Sequence, residues 1–310
     1  MRITDQTLTR RGVGAISENL RQMAAAQDRV STGKRIFRAS DDPSGTSEVM
    51  RTSDSLRAVG QLVRNVDFAR GRVETEENVL DQMTLALTRA SELAVGQASA
   101  TANAGTRVAT KSEIDDLLRF TISLGNTRSS DGFLFGGDFV DSAPFDPGVD
   151  LSAPVDRALY LSADPLDPSV KREPTGDAKV TIGPGFELAT AHNGAELFLD
   201  TRALEALHTL STALGSNDVE GIRSSIESIR TAIDAVQVRV GETGARFKQL
   251  EITESSLKSL SVTLTTYRSG IEDIDFEVAA TDLAARQSAY QAALLATSRV
   301  LNLSITDYLR

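Results

Sequence analysis

The sequence predicts a mainly α-helical protein, a long antiparallel helical rod or bundle with coiled-coil seams, plus a small β-rich inserted domain. Three observations predict this class. Seven of the eight prolines lie between residues 144 and 184, and proline disrupts helix interiors. Apolar residues recur every seven positions in both flanks, which is the pattern of paired helices. Between the flanks, short apolar runs alternate with Pro, Gly and Asp, which is typical of small strands and turns.

The first flank carries one heptad row at a strict spacing of seven residues. Its members are Val59, Val66, Val73 and Leu80, continued by Leu87 and Ala94. A companion row three residues on is interrupted by Glu76 and Gln97. The row therefore predicts a long helix with an imperfect apolar seam.

The second flank carries a matching seam. Its main row contains Ile229, Val236, Leu250 and Leu257, and Thr243 interrupts it. Each seam covers about 40 to 50 residues, which corresponds to a helix roughly 60 to 75 Å long. We expect the N-terminal and C-terminal halves to pack antiparallel, with both termini at one end.

The two ends of the chain carry shorter apolar stripes that we expect to form terminal helices. The members that we expect to pack in assembly are Val13, Ile16, Leu20, Met23, Leu294 and Leu301. Residues 1–40 hold eight basic and three acidic side chains, whereas residues 271–310 hold three and six. This opposite charge favours pairing of the ends with each other and with neighbouring copies, and the alternative is two solvated faces.

These patterns predict three regions. Residues 1–45 with 270–310 would form a terminal coiled-coil domain, and residues 46–140 with 195–269 a helical bundle domain with a short β-hairpin. Residues 141–194 would form a β-rich surface insertion, with strands at 158–161 and 178–182. Residues 109–124 are predicted to form a further amphipathic helix.

A structural elbow is predicted between the terminal and bundle regions. Gly33 suits the end of the first helix. Asp42 suits the N-cap of the next helix, with Pro43 at its first position, inside a motif that also contains Asp41 and Gly45. Near the other end of the chain, the acidic run 272–277 predicts a second helix start, with Gly270 as the break before it.

Composition argues against most kinds of chemistry. The net charge of −10 and pI near 4.9 disfavour a nucleic-acid partner, and the absence of cysteine excludes disulfides and thiolate sites. His192 and His208 lack metal-ligand spacing and are predicted to lie at the surface. We expect no catalytic residues, no cofactor, no metal, no membrane segment and no cleavable signal peptide.

Two motifs resemble a known family. Residues 31–36 read Ser-Thr-Gly-Lys-Arg-Ile and residues 39–45 read Ala-Ser-Asp-Asp-Pro-Ser-Gly, similar to the N-terminal signature of the bacterial flagellin superfamily. Residues 271–276, Ile-Glu-Asp-Ile-Asp-Phe, resemble its C-terminal signature. The resemblance covers about 140 N-terminal and 110 C-terminal residues. Phe-Leu-Phe-Gly-Gly at 133–137, Ala-Pro-Phe at 143–145 and the ending at 301–309 resemble the members that join hook to filament.

This resemblance implies a structural subunit, a ring of copies in a helical tube whose inner wall is lined by the paired terminal helices. It implies hook-associated protein 1 and flagellin as neighbours and a flagellar export chaperone as a further partner. It also implies secretion through the flagellar type III export apparatus and an extracellular location in the flagellum. Residues 146–178 match nothing in this family.

Three alternatives remain at this point. The elbow motif would suit a flagellin filament subunit equally well. A soluble coiled-coil signalling rod would also show heptads and acidity, although the proline-rich interruption weighs against it. An enzyme within residues 141–194 is the third, but no base, nucleophile and metal set converges there.

Overall fold

A computed structural model describes residues 2–99, 102–137, 139–146, 159–163, 171–174 and 176–308. The α-helices among them are α1 (Arg2–Thr32), α2 (Pro43–Gln97), α3 (Ala104–Gly125), α4 (Ala203–Gly215), α5 (Val219–Glu272) and α6 (Phe276–Tyr308). A π-helical turn, Ala195–Leu199, precedes α4. Among these described helices, none has a stretch long and apolar enough to cross a membrane.

The strands are short and pair in antiparallel hairpins. They are β1 (Arg128–Ser129) with β2 (Gly132–Phe133), β3 (Ser162–Ala163) with β4 (Lys171–Arg172), and β5 (Lys179–Gly183) with β6 (Phe186–Ala189). The chain is therefore mainly α with a small β region, as the proline and heptad patterns predict.

The two longest helices carry the predicted seams. α2 has 55 residues and α5 has 54. Every predicted seam residue is buried, because the heptad period keeps one apolar stripe turned toward the partner helix. These buried residues are Val59, Val66, Val73, Leu80, Ile229, Val236, Leu250 and Leu257.

The chain divides into two compact units, which are described separately below. The terminal unit contains residues 1–59 and 259–310, and the central unit contains residues 60–258. The boundaries therefore fall inside α2 and α5, after the predicted limit at 45 and before the predicted limit at 270. The described part of 141–194 lies within the central unit.

An aromatic cluster fills the core of the central unit. The ring centroid of Phe145 lies 5.0 Å from that of Tyr160 and 5.3 Å from that of Phe198. The rings of Phe135 and Phe198 pack edge-on with their centroids 5.4 Å apart. The Tyr160 hydroxyl donates to the Phe135 carbonyl at 2.6 Å. Burial raises the pKa of Tyr160 well above its ordinary value. All four rings are fully buried, so the cluster is part of the hydrophobic core of the central unit.

One of the two predicted strands is confirmed, and the other is wrong over its described residues. The strand predicted at 178–182 is confirmed as β5, and Asn65 of α2 donates to the Thr181 carbonyl at 2.7 Å, which anchors it to the helix. The strand predicted at 158–161 is wrong over 159–161, since pairing begins only at Ser162. Residue 158 itself lies outside the described residues.

Two further expectations are corrected. Gly270 does not end a helix, because α5 continues to Glu272 and its interior tolerates a glycine at a modest cost. His192 is not a surface residue, since it is only 2% exposed. Its ring nitrogens contact Glu76 of α2 and Glu242 of α5.

Candidate assembly surfaces

The terminal helices α1 and α6 pair antiparallel within the terminal unit. The end of α1 meets the start of α6, where the Ile274 N–H donates to the Gly33 carbonyl at 3.0 Å. Nearer the termini, a Cβ on Gly12 would lie 2.9 Å from Cγ2 of Thr297. Gly12 therefore allows the two backbones to approach closely, as small residues do at helix contacts.

The predicted terminal stripe remains largely uncovered by this pairing. Val13 is 57% exposed, Leu20 44% and Leu294 41%. Ile16 and Met23 are half-buried. The side chain of Leu301 lies outside the described residues. At the start of α6, Phe276 and Val278 are each 65% exposed. Large apolar side chains thus line a surface that one copy of the chain does not cover.

The elbow is held by backbone contacts between α1 and the α5–α6 connection. Lys34 and Asp273 form an antiparallel β-bridge, and the Arg35 N–H donates to the Glu272 carbonyl at 2.6 Å. The Lys34 ammonium forms an ion pair with the Glu272 carboxylate. These bonds tie the two distant segments together where both helices end.

Asp42 caps the second helix of the elbow. Its Oδ1 accepts from the Gly45 N–H at 2.8 Å and from the Ser44 hydroxyl at 2.8 Å, and its Oδ2 lies 3.2 Å from the Arg35 guanidinium. The Gly45 N–H, then the Ser44 hydroxyl, then Arg35 hold the pKa of Asp42 below its ordinary value. Pro43 is the first residue of α2 and needs no N–H partner there.

The remaining elbow residues have separate local roles. Oδ2 of Asp41 accepts from the Arg38 N–H at 2.8 Å and from the Phe37 N–H at 3.2 Å. Gly33 ends α1 with φ of 70°, a conformation that favours glycine. A Cβ on Gly45 would lie 2.5 Å from Oδ2 of Asp42. Each predicted elbow residue therefore occupies a position that its own chemistry suits.

Sequence reasoning did not predict that Arg35 and Glu272 meet at the elbow, although both join it. Arg35 donates from its guanidinium to the Ile271 carbonyl at 2.9 Å as well as pairing with Asp42. The available signal was the opposite charge of the two ends. It identified the attraction between the segments, but not which residues would meet.

A side-chain network around the buried His192 joins α2 to α5 in the central unit. The His192 Nδ1 lies 2.5 Å from Oε1 of Glu76, and its Nε2 lies 2.9 Å from Oε2 of Glu242. Arg246 lies 3.6 Å from the Glu76 carboxylate. Hydrogen bonds from Arg239 and then from His192 lower the pKa of Glu242. Glu76, which interrupts the heptad row, is thus a buried partner of His192.

Both ends of the chain match family descriptions. Residues 7–137 match the bacterial flagellin N-terminal helical region, and residues 224–309 match the bacterial flagellin C-terminal helical region. The two matches cover the paired terminal helices, the elbow and most of α2 and α5. The chain belongs to the bacterial flagellin superfamily.

Within this superfamily the chain is similar over nearly its full length to flagellar hook-associated protein 3 of Escherichia coli (strain K12). The two are 24% identical over 324 residues, which span 98% of each chain. Flagellin B of Helicobacter pylori (strain ATCC 700392 / 26695) is 33% identical over 129 residues, covering 40% of this chain and 24% of that flagellin.

The fold is also similar to a solved structure. A putative flagellar hook-associated protein from Vibrio parahaemolyticus superimposes with a TM-score of 0.62 at 15% identity. The match covers 75% of this chain and all of the other. At this identity the likeness concerns the fold alone.

Proposed function

We propose that this chain is a structural subunit of the bacterial flagellum that joins hook to filament through self-assembly of its terminal helices. The observation that carries the proposal is the collinear similarity to hook-associated protein 3, which spans 98% of both chains. A flagellin of Halalkalibacterium halodurans is also 24% identical, but that match spans 83% of this chain and 80% of the flagellin. A junction subunit is therefore favoured over a filament subunit.

The terminal unit supports a mechanical role. Its paired helices leave Val13, Leu20 and Leu294 exposed, and burial of such side chains contributes about 25 cal/mol per Å². Neighbouring copies in a ring are the partners that would bury them. The chain would then act by contact over a long surface rather than by catalysis.

The proposal places the chain outside the cell, in a ring of copies. Its neighbours would be hook-associated protein 1 on one side and flagellin on the other. It would leave the cell through the flagellar type III export apparatus, escorted by a flagellar export chaperone. The elbow at Asp42 would set the angle between α1 and the start of α2.

Deleting the gene in its source organism tests the junction role. We expect hooks to persist, filaments to be missing and flagellin monomer to accumulate in the medium. A strain that exports no flagellin but keeps its junction proteins would identify this chain as the filament subunit. A strain that swims normally would contradict the flagellar proposal.

The role of the terminal stripe is tested by complementing that strain with Leu20→Ser or Leu294→Ser. Both side chains are more than 40% exposed, so the isolated chain should melt as the wild type does. We expect swimming to fall with either variant. Val238→Ser, which changes a 59% exposed residue of the central unit, is the matched control.

A further inference from the structure

A groove in the central unit lies between α2 and the β1–β2 hairpin, apart from the terminal surfaces. It encloses about 420 Å³. We call it the hairpin groove, and its lining includes Gly71, Arg72, Arg128 and Ser130. Asp67 also lines it, and of the two arginines only Arg128 is exposed.

A buried donor in this groove has no partner. Arg72 is only 1% exposed, and its two terminal nitrogens are bonded, one to Asp131 and one to the Leu134 carbonyl. Its Nε donates to no atom among the described residues. A buried guanidinium N–H without an acceptor is unfavourable in a folded chain, so this position favours an acceptor from outside.

The second arginine is presented to the outside. The Arg128 guanidinium lies over the Phe133 ring at 4.5 Å and forms no ion pair among the described residues. The aromatic ring holds it by cation–π contact and leaves its fork of N–H donors available. Carboxylate is the group that this fork binds in bidentate geometry.

Gly71 lines the groove where the α2 backbone has no close neighbour. A Cβ built on this residue would meet nothing within 4 Å, so no internal contact requires glycine there. Glycine inside a long helix such as α2 weakens that helix relative to alanine. Gly71 therefore leaves room for a group from another molecule close to the helix backbone, next to the unpartnered Nε of Arg72.

We propose that the hairpin groove receives a carboxylate side chain from a second copy of this chain, and this inference rests on the proposed junction function. A chain of net charge −10 offers many exposed carboxylates, whereas the groove supplies guanidinium donors. The groove of one copy would contact a different surface patch on the next copy, so the contact is head-to-tail. Head-to-tail contacts build rings or helical tubes rather than closed dimers.

Site-specific cross-linking in isolated flagella tests this contact. The chain contains no cysteine, so the variant Ser130→Cys can be labelled at that one position with a photoactivatable benzophenone maleimide. The variant is expressed in a strain with no other copy of the gene. We expect irradiation to give a covalent dimer of the chain, with an acidic peptide joined to residue 130. Cross-links to another protein, or only within one copy, would overturn the proposal.

Two variants test the chemistry of the contact in the same background. Arg128→Glu should lower the dimer yield by on the order of fivefold, because two carboxylates would then face each other. Arg119→Glu reverses an exposed arginine of α3 that pairs with Asp116, and it should leave the yield unchanged. Gly71→Ala should lower the yield while the isolated chain melts no earlier than the wild type. Unchanged yields with Arg128→Glu and Gly71→Ala would contradict the inference.

The two proposals can fail separately. A fluorescent label on Ser112→Cys, at an exposed site of α3, reports whether the chain is present where hook meets filament. Absence of the label there contradicts the proposed function and the contact with it. Presence of the label without a dimer through residue 130 contradicts only the contact.

Discussion

The backbone N–H of His192 donates to Oε1 of Glu76 at 2.9 Å, and the ring Nδ1 approaches the same oxygen at 2.5 Å. Glu76 is completely buried and His192 is 2% exposed. A polar interruption of a heptad row on α2 is thus paired with a histidine that follows β6. The pair attaches the hairpin region to the helix.

Replacing His192 should destabilise the central unit strongly. His192→Ala leaves the Glu76 carboxylate buried without its ring partner, and a buried polar group that loses a hydrogen-bond partner costs about 1 to 3 kcal/mol. Denaturant unfolding followed by circular dichroism measures the change. His208→Ala is the control, since Nε2 of that histidine already has no hydrogen-bond partner. Equal effects of the two substitutions would contradict the importance of the network.

The cap at Asp42 should make the stability of the terminal unit depend on acid. Because its pKa is lowered in the folded chain, its contribution is present above the unfolded value of about 3.9 and is lost as pH falls through the lower folded value. Asp42→Asn keeps a capping side chain but removes the charge. We expect the melting difference between wild type and Asp42→Asn to be constant at neutral pH and to vanish in strong acid. A difference that stays constant from neutral pH into strong acid would contradict this.

Gly45 should resist substitution because of its close neighbours. A Cβ there would lie 2.5 Å from Oδ2 of Asp42 and 2.6 Å from Cδ1 of Ile36, and such overpacking costs about 1 to 3 kcal/mol. Gly14→Ala in α1 meets nothing within 4 Å, so it should stabilise by about 0.5 to 1 kcal/mol. Thermal unfolding of the two variants should therefore shift in opposite directions.

The heptad seam predicts a sharp contrast between two leucines of α2. Leu80 is fully buried, whereas Leu85 is 69% exposed. Leu80→Ala should lower the unfolding free energy by about 2 to 5 kcal/mol, because it leaves a cavity in the core. Leu85→Ala should change it by less than about 0.5 kcal/mol. Similar losses in both variants, measured in urea, would show that the seam does not carry the stability.

The long helices could be predicted because their signal is local and repeated. Valine and leucine every seven residues mark one face of α2, and one proline cluster separates the flanks. Such a pattern needs no knowledge of the partner helix. The N-cap at Asp42 could be predicted for the same reason, since the groups that donate to its side chain in the cap follow within three residues.

The burial of His192 and the ends of the short strands could not be predicted in the same way. The partners of His192 lie on α2 and α5, and no local pattern shows which buried helix position will receive a charge. The strand at 162–163 has two residues, too few for an alternating pattern. Gly270 misled because a glycine that ends a helix and one inside a helix look alike in sequence.

The elbow also determines the order in which the units can form. Arg35 bonds to the carbonyl of Ile271, 236 positions further along the chain, whereas residues 60–258 are contiguous. At about 5 to 20 residues per second, a ribosome needs roughly 10 s or more to add that many residues. All residues of the central unit can therefore be synthesised before α6, the helix that pairs with α1, exists. The part of the molecule made first is the last to find its partner, and contacts between such distant residues form slowly.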